Sequence, residues 1–182
     1  MLRKILVVLV AVVVLFVIVV AARPSQFLVT RTANINAPDS AVFAQINDLH
    51  RWPSWSPWAK LDPNMKQSYD GAPAGTGASS SWAGNSKAGE GRMTIIESKP
   101  NEVVRMQLEF LKPFKATDTA EFILKPENNH TLVVWNMRGT NNFMFKAVGM
   151  FMNMDKMIGG DFERGLAQLK SIVETPPKAT PN

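Results

Sequence analysis

The chain of 182 residues contains no cysteine, two histidines and a single tyrosine. Without thiols there is no disulfide, no thiolate nucleophile and no cysteine metal ligand, so the fold has to rest on a hydrophobic core, which a chain of this length can bury. His50 and His130 do not stand at metal-ligand spacing, and neither a metal centre nor a cofactor is expected. Clustered positive charge is also missing. Beyond Arg3 and Lys4, 18 basic residues face 15 acidic ones and are dispersed, which argues against nucleic acid as a partner. Gly89-Glu90-Gly91 imitates half of a phosphate-binding loop but leads into RMTII, a strand pattern, and that context excludes a nucleotide fingerprint. Ser79, Ser80 and Ser81 have no base at a recognisable spacing, so a hydrolase nucleophile has no support.

What the chain does have is a long apolar run. Residues 5–22, ILVVLVAVVVLFVIVVAA, lack Gly, Pro and charge, and as a helix they extend roughly 27 Å, close to the thickness of a bilayer core. Two readings compete. Arg3, Lys4 and the small residues at 20–22 suit a cleaved signal peptide, whereas the length of the run suits an uncleaved transmembrane anchor, the preferred reading. The basic residues before it keep the N-terminus cytoplasmic and place the domain on the outer, periplasmic or extracellular, side of a single-pass membrane protein. The chain then divides into a cytoplasmic stretch (1–4), an anchor (5–22), a domain (23–174) and a Pro-containing tail (175–182) read as disordered.

Within the domain the hydrophobic period gives the order of elements. Residues 26–36 alternate as a strand, and Ala37-Pro38-Asp39-Ser40 marks a helix start. From about 65 to 139 the period is two, with Val104, Met106, Leu108 and Phe110 on one face, Asp118, Ala120, Phe122 and Leu124 on another, and Val133, Trp135 and Met137 on a third. Trp82 is in phase with Ser80, and Met93 with Ile95. Asn128-Asn129 and residues 99–102 read as hairpin turns. After Gly139 the period becomes helical: Ile158, Phe162, Leu166, Leu169 and Val173 form one stripe. Gly159-Gly160 near its start, at about 1 kcal/mol per Gly against Ala, suggests a bend or a close approach. A strand, short helices, about six more strands and one long helix define an α+β layer architecture, with either a packed core or an elongated cavity between sheet and helix.

Several stretches carry a resemblance: SWAGNSKAGEGRMTIIES (81–98), FLKPFKATDTAEF (110–122), TLVVWNMRG (131–139), MDKMIGGDFERGLAQLK (154–170) and WPSWSPW (52–58) with Leu61-Asp62-Pro63. They resemble bacterial polyketide cyclase/dehydrase-type proteins of the START-like (Bet v 1-like, SRPBCC) superfamily over about 26–174. The resemblance implies the helix-grip fold, a curved antiparallel sheet of about seven strands wrapped on a C-terminal helix around a cavity for lipids, sterols or polyketides. It supplies no catalytic motif, and fold alone does not fix function.

In a helix-grip chain Trp52, Trp55 and Trp58 fall at one end of the cavity, as a rigid plug or as a lid. Trp82, Met93, Ile95, Met106, Leu108, Phe110, Phe122, Trp135, Met157 and Ile158 are the expected ligand-binding positions. The Met-rich run from Met144 to Met157 suits a wall for a flexible apolar ligand, a loosely packed helix start or a face resting on a bilayer. Asp118 and His50 are the candidates for proton transfer, with Arg138 a possible partner of Asp118. Three functions follow: membrane-anchored binding of a lipid or other hydrophobic small molecule in an internal cavity, a cyclase/dehydrase-like enzyme, or a protein-interaction domain whose cavity has collapsed.

Overall fold

A computed structural model describes residues 1–128 and 130–175. The tail expected over 175–182 lies, beyond Thr175, outside the described residues. Helix α1 (Leu2–Ala22) is the apolar run, long and apolar enough to cross a membrane, a test that a signal sequence also passes. It is followed by β1 (Gln26–Ile35), α2 (Asp39–Asn47), a 3-10 turn (Leu49–Ser54) and six strands: β2 (Lys66–Gly71), β3 (Ala78–Ala83), β4 (Glu90–Lys99), β5 (Val103–Lys112), β6 (Ala116–Glu127) and β7 (His130–Thr140). A short helix, α3 (Phe143–Val148), precedes the long α4 (Met154–Glu174).

The seven strands form one antiparallel sheet in the order β1-β7-β6-β5-β4-β3-β2, a meander closed by β1 on the free side of β7. Asn101 and Asn128 take positive φ at the β4–β5 and β6–β7 turns, a conformation that Asn tolerates better than most residues. Alternation sorts the faces. Val29, Ile35, Val104, Met106, Phe122, Leu124, Val133 and Trp135 are buried on the inner face, while Arg105, on the outer face of β5, joins Glu97 and Glu121 on neighbouring strands.

Helix α4 packs over β1 and against α2 through Phe162, Leu166 and Leu169, three members of the stripe read from the sequence. Two glycines allow the close fit. A Cβ at Gly165 would press on the Trp135 ring and on Pro57, and one at Gly159 would overlap the Arg31 guanidinium. The expected close approach at Gly159-Gly160 is thus a side chain from β1 laid across the helix.

The three tryptophans of WPSWSPW fill one end of the interior. Trp52 and Trp55 are buried, and their indole N–H groups donate to Ile46 O (2.9 Å) and Gln45 O (3.3 Å), carbonyls at the end of α2 that would otherwise lack a partner. Trp58 donates to Asp161 Oδ2 on α4 (3.3 Å). Pro57, held against Gly165, ties the same loop to the helix.

Candidate functional site

Burial is not uniform along the inner face. On β5, Val104 and Met106 are fully buried, whereas Leu108 and Phe110, in the same phase, are only partly covered. Trp82 and Ile158 share this partial exposure. The ladder explains where the strand residues among them meet: Trp82 pairs with Gly91, Gly91 with Phe110 and Leu108 with Met93, so these strand residues form adjacent rows at one end of the sheet. Trp82 lies edge-on to Phe110 (6.0 Å, 78°), donates to Ala88 O (3.2 Å) and covers Gly91, where any Cβ would overlap its ring. The glycine pattern that imitated a phosphate loop is therefore a seat for an indole.

The opposite end is closed. Trp135 stacks on Phe162 with ring centroids 4.0 Å apart and planes at 1°, and on Phe122 at 4.6 Å, while Trp52, Trp55 and Trp58 meet Trp135 edge-on. Over this half the expected internal cavity is filled by protein. Phe122, Trp135, Ile95 and Met106 are packed core there, and Met93 is buried at its border. Met157 points away from the core and is exposed. One polar atom stands out: the Trp135 indole nitrogen is buried with no hydrogen-bond partner among the described residues.

Asp118 belongs to the open end. It pairs with Leu108, and one step along the β6–β7 ladder from the Thr119–Arg138 pair it lies against Gly139, whose missing Cβ leaves room for its carboxylate; Phe27 covers the same glycine. Only 8% of Asp118 is exposed, and burial pushes its carboxyl up to about 6. Arg138 does not pair with it. Alternation turns Arg138 to the outer face of β7, where it is exposed.

The second proton-transfer candidate is elsewhere. His50 stacks on Tyr69 (4.0 Å, 22°) with Nδ1 3.1 Å from Asp48 Oδ1. Tyr69 is on β2, four strands from β6 in the sheet order, so His50 and Asp118 do not form one acid-base pair. Asp48 is held below the usual carboxylate range: burial opposes this, but the His50 main-chain N–H, the His50 ring and Arg51 outweigh it. Its role is to cap the 3-10 turn. Among the described residues no group of three His, Asp or Glu side chains converges on a metal-sized site.

At the open end, next to the foot of α1, the surface carries a cleft of about 650 Å³ lined by Arg23, Asn141, Phe145, Lys146 and the segment from Gly149 to Met154. This cleft was not foreseen from the sequence. Its wall is the Met-rich run, but the other lining residues come from the ends of α1 and β7, which only the fold brings together.

A curved seven-stranded sheet with one long C-terminal helix, sealed by aromatic rings at one end and less completely covered at the other, is a helix-grip domain of α+β class. The chain belongs to the family described as polyketide cyclase / dehydrase and lipid transport, whose model matches residues 26–174. Solved structures agree on the fold. Protein CV1439 from Chromobacterium violaceum aligns at 14% identity and a TM-score of 0.59, over 85% of this chain and 100% of that one. The Aha1 dimer from Colwellia psychrerythraea aligns at 15% identity and 0.53, over 81% and 96%. DynU16, a protein in the dynemicin biosynthetic locus, aligns at 16% identity and 0.57; the match covers 81% of this chain and 47% of DynU16. No curated protein matches the chain.

Proposed function

We propose that this domain binds a lipid or other hydrophobic small molecule at the half-open end of its sheet while α1 holds it to a membrane, with the N-terminus cytoplasmic and the domain on the opposite side. The observation that carries the reading is the burial gradient along one strand face, from fully buried Val104 and Met106 to partly covered Leu108 and Phe110. Trp82, Met93, Leu108, Phe110 and Ile158 form the walls of the proposed site, Ile95, Met106, Phe122 and Trp135 its packed floor, and the tryptophan plug keeps a ligand from passing deeper. The family supports a hydrophobic ligand, since its description names both cyclase chemistry and lipid transport.

The test is native mass spectrometry of the full chain released from mild detergent. A bound amphiphile, or uptake of an added long-chain fatty acid, is expected, and Leu108→Trp, which fills the opening, should abolish it. A chain that is empty and takes up no apolar probe overturns the reading and leaves the protein-interaction alternative, which the filled aromatic half favours. A second reading rests on Asp118: a buried carboxyl with pKa about 6 at the same opening suits proton transfer in a cyclisation or dehydration. Loss of a detected turnover in Asp118→Asn, with ligand uptake retained, would favour it.

A further inference from the structure

The membrane-proximal end carries a second feature that ligand binding does not use. Phe143, Met144, Phe151 and Met152, on α3 and the turn after it, are exposed, Phe151 to 81%, and so are Leu111 and Phe114 at the β5–β6 turn. The two groups are one surface, because the Phe114 ring packs edge-on against Phe145 of α3 at 5.7 Å. A contiguous apolar face of this kind needs a partner, and single scattered exposures would not.

The partner follows from where α3 is fixed. Lys146 Nζ donates to Ala21 O (3.2 Å), a terminal carbonyl of α1, and Arg23 Nη1 donates to Gly149 O (3.1 Å) just after α3. Val20, in the last turn of α1, is buried by this junction while the rest of that helix is exposed. A helix of 21 residues rises about 31 Å, the thickness of the hydrocarbon core, so when α1 spans a bilayer its last turn lies at the lipid–water boundary. Whatever is bonded to that turn lies at the same depth. Arg23 and Lys146 are partnered there by neutral carbonyls, so their positive charges are left for lipid phosphates.

We infer that Leu111, Phe114, Phe143, Met144, Phe151 and Met152 form a membrane-docking face that inserts into the leaflet from which α1 emerges, seating the domain with its cleft and its half-open sheet end against the lipid. Rings and thioethers of this face sit among the headgroups and upper acyl chains, as amphipathic interfacial segments do. The inference rests on α1 being a membrane anchor and does not depend on what the sheet binds.

The absence of cysteine makes the test direct. Single cysteines at Met144, Phe151 and Val12, and at Glu102 on the β4–β5 turn at the far end of the sheet, all exposed positions, are labelled with an environment-sensitive fluorophore in the full chain. The chain is then reconstituted in vesicles of brominated phosphatidylcholine and phosphatidylglycerol, with unbrominated vesicles as reference. Probes at 144 and 151 are expected to be blue-shifted and quenched as strongly as the probe at 12, and the probe at 102 to stay unquenched. Quenching at 12 with 144 and 151 behaving like 102 overturns the docking face and leaves the anchor in place. No quenching even at 12 overturns the anchor and the docking face together.

Discussion

The Arg31 guanidinium lies against the backbone of Gly159. Its Nη2 donates to Asp155 O (3.1 Å) and Oδ2 (3.0 Å), and its Nε to Glu163 Oε1 (2.7 Å), so one side chain from β1 grips the first turns of α4. The hydrogen bonds that Arg31 donates to Asp155 and Glu163 raise its pKa further above its already high value, and Asp155 is correspondingly lowered by Arg31. Because α4 is the wall opposite the sheet, this contact sets how the helix sits at the open end.

The adjacent glycines should therefore respond in opposite directions. Gly159→Ala puts a methyl where the guanidinium lies and is expected to destabilise the fold by about 1–3 kcal/mol through overpacking. Gly160→Ala meets only the tip of Arg164 and is expected to stabilise by about 0.5–1 kcal/mol through helix propensity. Denaturant unfolding of the two variants, followed by tryptophan fluorescence, checks the pair.

Trp135 gives a second contrast. Trp135→Ala removes the ring that joins Phe122, Phe162 and the plug, with an expected loss of about 3–5 kcal/mol. Trp135→Phe loses part of the stack but also removes a buried N–H without a partner, a group that costs roughly 1–3 kcal/mol, so it should stay within about 1 kcal/mol of the parent. Equal losses in both variants would contradict this account of the core.

Asp118 predicts a pH dependence. Its folded pKa of about 6 lies above the ordinary 3.8, so between those values the folded state holds more proton than the unfolded state. The contribution of this group to stability is therefore present at acid pH and is lost as pH rises from about 4 to about 6. Asp118→Asn should flatten the profile over that window and stabilise the fold at pH 7 by something on the order of 1 kcal/mol, since the half-open site screens part of the charge. Unfolding free energies across that pH range, parent against variant, test the sign.

Much of the fold could be read from the chain because β1, the strands from β4 to β7 and α4 declare their period locally. Phe162, Leu166 and Leu169 are buried as their spacing required, and Asp118 lies on the inner face as its phase with Ala120 and Phe122 required. The filled half of the interior could not be read, because Met106, Phe122 and Trp135 alternate identically whether they line a cavity or pack a core. The occupants, Trp52 and Trp55, are expected from the sequence only at one end of the cavity, and their proline-rich segment has no strand or α-helix period to show how far they reach inward. Helix α3 was equally hidden, since the run from Phe143 to Met152 has apolar residues all round its single charge, Lys146, and no stripe. Proximity in the strand pattern suggests Arg138 as a partner of Asp118, but the two-residue period places Arg138 on the other face.

The most direct test of the ligand account uses Trp82 as the reporter. The full chain in bilayer discs of plain lipid is titrated with a brominated long-chain fatty acid, and tryptophan emission is followed in the parent, in Trp82→Phe and in Trp58→Phe. The account predicts saturable quenching in the parent that is retained in Trp58→Phe and largely lost in Trp82→Phe. Quenching that does not saturate, or that survives intact in Trp82→Phe, would contradict a hydrophobic ligand at the open end of the sheet.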